Sequence, residues 1–461
     1  MATLATTASV SGARAAELRA LVRLAGPVVI AELGWMAMWL VDTMLVGRVG
    51  AEAIGAVSVG GNLFFTIAIF GMGLLLGLDH TVAYAHGAGR TRAAHEALVD
   101  GMHLGIVATA ALTAVACAAM PLLAHAGLNP RVLAQARPYF AATLWSLFPL
   151  LLFAAFRRYL QALGFVLPVM VTIISANLVN AAAGWVLIFG KLGAPALGVA
   201  GAGWATTVSR VYMLLALAAY VVWRERRHPT GLFQVSLRPQ LARLARLARL
   251  ARLARLGLPA ALQTSLGVGA FACATTLAAT LDATALAAHQ LALSTAATSF
   301  MVPLGISSAA AVRVAQALGR RDVAGARRAG WIALAIGALV MLSSGLAFVL
   351  APRAILRVFT DDPAVIATGV ALLRVAALFQ LFDGVQVVAT GVLRGAGDTR
   401  TPMIANLGDY WLLGLPIGYV LCFRRGLGIV GLWIGLSIGL VLVALALLYT
   451  WSRRLPAAPG A

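Results

Sequence analysis

Residues Trp331–Leu350 read WIALAIGALVMLSSGLAFVL, twenty positions without one charged side chain. At 1.5 Å per residue, a helix of that length crosses the roughly 30 Å of hydrocarbon in a bilayer. Neither this run nor the rest of the chain shows sustained period-2 alternation, which argues against an outer-membrane barrel. Such runs recur along all 461 residues: 61% are hydrophobic, only 11% charged, and the mean hydropathy is +0.93. A soluble domain is about a quarter charged. The expected fold is therefore all-α and membrane-integral, with about twelve spans.

The spans are expected near 24–47, 57–84, 102–125, 138–160, 165–190, 197–222, 257–281, 285–312, 329–351, 365–392, 403–423 and 427–452. Several carry helix breakers, among them Pro27, Pro168, Pro259, Pro303 and Pro416, which are tolerated at depth where neighbouring helices re-satisfy the backbone. No signal-peptide pattern stands in residues 1–23. With both termini and the even-numbered loops on one side, that side holds 25 of the 35 basic residues and the other side 8, while Arg210 and Arg374 fall within spans. The positive-inside rule then places both termini in the cytoplasm of a bacterial inner membrane. The organisation expected is a segment 1–23, an N-lobe 24–222, a basic linker 223–256, a C-lobe 257–452 and a tail 453–461.

A net charge of +20 in a soluble protein would suggest nucleic acid. Here the arginines lie in short gaps between apolar runs, so anionic lipid headgroups are the expected partner and no nucleic acid is. Nine arginines crowd the linker, where the triplet Leu-Ala-Arg repeats five times from Leu241 to Arg255. A three-residue step advances about 300°, so the leucine row drifts about 60° per triplet. Two or three triplets are amphipathic and the whole is not; the expectation is a basic helix on the inner leaflet. Cys117, Cys273 and Cys422 lie far apart inside apolar runs and read as packing residues, not metal ligands.

The two halves share sequence. AEAIGAVSV at Ala51–Val59 matches ATALAAHQL at Ala283–Leu291, and VAYAHGAGR at Val82–Arg90 matches VRVAQALGR at Val312–Arg320. LGVAG at Leu197–Gly201 meets LGIVG at Leu427–Gly431, and YLQALG at Tyr159–Gly164 meets VLRGAG at Val392–Gly397. All four pairs keep the same order at offsets of 230 to 233. With six helices per half, both copies enter from the same side, giving two bundles related by a pseudo-twofold along the membrane normal. That arrangement points to transport through a cleft between lobes.

Five carboxylates fall within spans: Glu32, Asp42, Asp79, Asp383 and Asp409. An ionised Asp at mid-bilayer costs roughly 2.5–3.5 kcal/mol, so each is a functional candidate. Asp79 and Asp409 stand near enough to interfaces to be solvated there, and local solvation or a helix–helix hydrogen bond also accounts for Glu32. Trp35, Trp39 and Asp42 follow i, i+4, i+7 and share one helix face. An acid flanked by indoles suits a lipophilic cation; the plainer alternative is interfacial anchoring or core packing by the tryptophans. Asp383 has Gln380 and Gln386 at i−3 and i+3, a cluster hard to place against lipid. Asn177 and Asn180 share a face in the fifth span and either join helices or complete a polar site with Asp42.

Several stretches resemble the multidrug and toxic-compound extrusion (MATE) family, in its NorM-like branch. They are LVDTMLVGRVG from Leu40, GLDHTVAYAHGAGR from Gly77, GKLGAPALGVAGAGWAT from Gly190, AAHQLAL from Ala287, FMVPLGI from Phe300, FQLFDGVQVVATGVLRGAGDTR from Phe379 and YWLLGLPIGYVL from Tyr410. The resemblance runs from about Pro27 to Leu448 and implies a twelve-helix, two-lobe antiporter exporting cationic drugs against inward H⁺ or Na⁺. It implies that Asp42 and Asn180 belong to an N-lobe cation site and Asp383 to a C-lobe one. Two positions depart from the pattern. Gly184 stands where a second polar residue is expected one turn after Asn180, and Gly267 where a glutamate is expected; the C-lobe site then lacks one of its usual acids, which favours proton coupling through Asp42 over Na⁺.

The expected function is thus cation-coupled export of lipophilic cations by alternating access, with Asp42, Asp383, Asn180 and Asn177 coupling the ion. Trp35, Trp39, Gln380, Gln386 and Asp409 are expected to line the substrate cleft. No organic cofactor is expected beyond the coupling ion, and the expected state is a monomer. A lipid-linked oligosaccharide flippase would call for more intramembrane basic residues than Arg210 and Arg374. A membrane prenyltransferase would need clustered loop acids for Mg²⁺, and Asp361–Asp362 is the one adjacent pair.

Overall fold

Within hydrocarbon no water satisfies a backbone N–H or C=O, so an apolar run closes its own hydrogen bonds as helix. The computed structural model describes residues 2–121, 130–235 and 243–454. Among these no strand occurs. The helices are α1 (Ala2–Gly47), α2 (Ala51–Leu74), α3 (Gly77–Gly87), α4 (Thr91–Ala119), α5 (Pro130–Leu144), α6 (Leu147–Ala162), α7 (Val166–Phe189) and α8 (Val199–Arg227). They continue as α9 (Arg243–Ala279), α10 (Ala283–Gly319), α11 (Val323–Leu350), α12 (Pro352–Arg357), α13 (Pro363–Gly395), α14 (Arg400–Leu407), α15 (Leu415–Tyr419) and α16 (Gly428–Arg454). The expected end of the third span at 122–125, the linker residues 236–242 and the tail beyond 454 lie outside the described residues.

Ten of these helical stretches are long and apolar enough to cross a membrane, α2 and α3 together forming one, and the α5–α6 pair, bent by 44°, makes an eleventh. The segment expected at 403–423 is the twelfth. Its path is helical throughout, but α14 and α15 alternate with π-helical turns at Gly408–Gly414 and Val420–Arg424.

The run at Trp331–Leu350 lies on α11, whose sides divide cleanly. Ala333, Gly337, Met341, Gly345 and Phe348 are buried, while Leu339, Leu342, Leu346 and Val349 are exposed. Both stripes step by three or four residues, as a helix between protein and lipid requires. The buried stripe carries small residues because helices in lipid associate by close packing.

The chain divides into two compact units, Leu33–Ala261 and Met1–Glu32 with Leu262–Ala461. In the first, Val46, Ala53, Ala56, Tyr139, Ile188 and Ala202 form part of the core. In the second, a core that includes Ala288, Ala292, Leu372, Ala376, Leu432 and Trp433 is joined by a close backbone crossing. Gly435 there lies so near Gly418 that a Cβ would meet its backbone. The start of α1 packs within this second unit, where Glu17 accepts from Arg313 Nε at 2.9 Å and Nη2 at 2.6 Å.

The loop acids have local tasks. Asp282, Asp322 and Asp362 each cap a helix, accepting from Ala285, Gly325 and Ala364 backbone N–H groups at 2.7 to 2.8 Å. Asp362 is thereby committed as a cap in front of Pro363. Glu225, at the end of α8, gathers the N–H groups of Thr230, Gly231 and Leu232 at 2.8 to 2.9 Å.

From Arg243 onward, the Leu-Ala-Arg triplets are the first turns of α9, continuous with the seventh span, rather than a separate surface helix. Leu253 is buried, and a Cβ at Gly77 would meet its carbonyl. Arg249 donates from Nε to Asp100 at 2.9 Å. The drift of the triplet row explains this selectivity, since only some triplets point inward at any height.

Candidate ion and substrate sites

In the unit of residues 33–261, α1 carries Asp42 to a polar group built from three other helices. Thr206 on α8 donates its hydroxyl to Asp42 Oδ2 at 3.2 Å. Asn180 on α7 is fully buried and lies against the same carboxylate, its amide atoms making no well-formed hydrogen bond. Arg210, one turn beyond Thr206, is near enough for its charge to act on Asp42, and the neutral phenol of Tyr139 on α5 is near enough to feel the Asp42 charge. Asn177 does something else: it donates to the Gly34 carbonyl at 3.0 Å and so ties α7 to α1 two turns from Asp42. Of the two amides, only Asn180 shares the aspartate's surroundings.

The tryptophans separate too. Trp35 is half-buried and stacks on Phe153, ring centroids 6.3 Å apart, while Trp39 is 65% exposed. Gly184 leaves room that Leu45 fills, since a Cβ there would stand 2.7 Å from Leu45 Cδ1. Asp79, fully buried, pairs with Arg158 Nη1 at 3.5 Å. Two helices are thereby joined at a charge that the sequence left open.

In the other unit, Asp383 sits half-buried on α13. Its flanking glutamines are engaged elsewhere. Gln380 donates to Ser299 Oγ at 2.7 Å and Ser344 Oγ at 3.2 Å; Gln386 donates to Asn406 Oδ1 at 2.7 Å. These bonds hold α13 to α10, α11 and α14. The residue that does accompany Asp383 is Asp409, close enough for the two charges to interact. It sits on the first π-helical turn, 2% exposed, and neither carboxylate oxygen has a hydrogen-bond partner. Gly439 packs directly on it; a Cβ at that position would overlap Asp409 Oδ1. Tyr410 is buried beside both acids and faces Gly267, whose Cβ would come 3.8 Å from the Tyr410 ring.

Sequence reasoning did not reach Thr206, Tyr139 or the place of Arg210. Arg210 carried a signal, being one of two arginines within spans. His289 was also missed. Trp433 Nε1 donates to its Nδ1 at 3.0 Å, so Nδ1 carries no proton. Nε2 then faces Thr275 Oγ1 at 3.0 Å as the N–H donor. The imidazole is neutral and ties α9 to α10 and α16.

A family model described as MatE matches residues 27–186 and 259–420. The chain is 38% identical to a protein of Mesorhizobium japonicum named "Probable multidrug resistance protein NorM", over 96% of this chain and 95% of that one. With the "Multidrug resistance protein NorM" of Burkholderia vietnamiensis it shares 37% identity over 94% and 93%. The fold superimposes on the crystal structure of the eukaryotic MATE transporter AtDTX14 with a TM-score of 0.85 at 21% identity, covering 96% of this chain and 98% of that one.

Proposed function

The chain belongs to the MATE family, and from that premise we propose that it is an antiporter that exports lipophilic cationic compounds across a bacterial inner membrane, driven by H⁺ rather than Na⁺. Asp42 is the group that couples the two. Ionised, it pairs with a lipophilic cation; protonated from the outside, it loses that charge and the cation leaves. Thr206 and Asn180 hold the carboxylate, Trp35 and Trp39 supply aromatic surface on the same helix, and Asp383 with Asp409 forms a second acidic group that takes part in the cycle.

The observation that carries this reading is an aspartate inside a membrane helix, flanked by the neutral Thr206 and Asn180, with the nearby Arg210 bonded to Ser146 instead of paired with it. Such a carboxylate is an unusual thing to retain in hydrocarbon unless it meets a cation or a proton. The relatives' names, which speak of multidrug resistance, support drug-like substrates, and the acid of Asp42 supports their positive charge. Gly267 supports the proton, because a position without side-chain oxygen at Tyr410 adds nothing to a sodium shell, whereas a lone carboxylate suffices to take up a proton.

Inverted vesicles loaded with a fluorescent lipophilic cation test the reading, with proton and sodium gradients imposed separately. The proton gradient is expected to drive transport, and D42N to lower it by about tenfold or more, as expected for losing a charged contact of about 1.5–3 kcal/mol. Full transport by D42N would remove Asp42 from the mechanism; transport with sodium alone would overturn the ion.

A further inference from the structure

Arg210 sits half-buried within the apolar span of α8 and makes no ion pair with Asp42. Its guanidinium rests elsewhere. Nη1 donates to Ser146 Oγ at 2.5 Å, the guanidinium carbon lies 4.5 Å over the Phe64 ring, and the buried Nε has no hydrogen-bond partner. Ser146 stands at the break where α5 ends at Leu144 and α6 begins at Leu147, and its own hydroxyl turns back to the Thr143 carbonyl. The end of a helix presents unsatisfied carbonyls and partial negative charge, and a phenyl face also attracts a cation. The break, the hydroxyl and the ring together make a resting place for a guanidinium.

A second place lies within reach. Thr206, which holds Asp42, and Arg210 are four residues apart on one helix and so are neighbours on one face, about 6 Å apart along the axis. An arginine side chain covers one turn. The groups around the carboxylate are Thr206, Asn180, Tyr139 and Arg210, of which Arg210 alone is a cation.

We propose that Arg210 is a tethered counter-ion of Asp42. It moves onto the carboxylate when neither proton nor substrate holds it, and withdraws to Ser146 and Phe64 when either arrives. Substrate binding is then an exchange of one cation for another. The empty site is neutral overall, which weakens the hold on a monovalent lipophilic cation and speeds its release. This inference rests on the reading of Asp42 given above.

Binding of tetraphenylphosphonium to the purified full-length protein in lipid nanodiscs tests it. R210Q is expected to bind about tenfold tighter than the wild type, since a competing charge is gone, and R210K to stay within about threefold because it keeps that charge. S146A, which weakens the resting place and drives Arg210 toward Asp42, is expected to bind about threefold weaker. Unchanged or weaker binding by R210Q overturns the proposal, and so does an S146A affinity equal to the wild type. D42N separates the two readings. If D42N binds like the wild type, the role of Asp42 itself fails; if D42N weakens binding while R210Q fails to tighten it, only the counter-ion fails.

Discussion

The buried acid Asp409 and the glycine packed on it, Gly439, depend on each other. The carboxylate is buried without a hydrogen-bond partner, and the glycine leaves room for its Oδ1. Adding a methyl group at Gly439 forces a shift costing about 1–3 kcal/mol, as for other overpacked sites. G439A is therefore expected to melt at lower temperature in detergent than the wild type, and the loss to shrink in a D409A background. Equal losses in both backgrounds would show that the two side chains do not meet. Asp409 stood in the sequence as a solvated interfacial acid or a cleft residue, whereas the fold sets it beside Asp383. Asn177, Gln380 and Gln386, candidate site residues in the sequence, make hydrogen bonds between helices. Residue type and spacing identify a polar group in a span, but not what lies across from it.

At the scale of an element, α9 shows how a repeat with the wrong period acquires a function. Its triplets wind round the helix, so Arg249, itself exposed, pairs with the buried Asp100, while Arg252 and Arg255 are exposed. Removing one partner of a buried charge costs more than removing an exposed one. R249A is expected to lower stability by about 1–2 kcal/mol, with R252A and R255A within about 0.5 kcal/mol of the wild type. A thermal melt of the three variants decides it, and three equal losses would refute the register. The π-helical turn at Gly408–Gly414 is the converse case. An α-helix advances about 100° per residue, so the wider turn re-aims Asp409 relative to a regular count. Nothing in GDYWLLG announces that.

For the molecule as a whole, the testable statement is its orientation. From the excess of arginine in the even-numbered loops, residue 234 is expected in the cytoplasm and residue 361 outside. Both positions are exposed. In a cysteine-free background, D361C is expected to react with an impermeant maleimide in intact cells and Q234C only after the membrane is opened; the reverse pattern would invert the topology. The all-helical membrane fold, the duplicated halves and the two deep acids Asp42 and Asp383 were legible in the sequence, for one physical reason. Run length, charge-free stretches and a lone carboxylate in hydrocarbon are properties of a single segment, whatever packs against it. Which groups surround those acids was decided by the tertiary structure alone. Thr206 and Asn180 meet Asp42 with Arg210 nearby, and Asp409 stands near Asp383, because separate helices are rotated to face one another. That rotation is set by close packing between helices and by an inserted π turn, and neither leaves a trace in the hydropathy of the segments it joins.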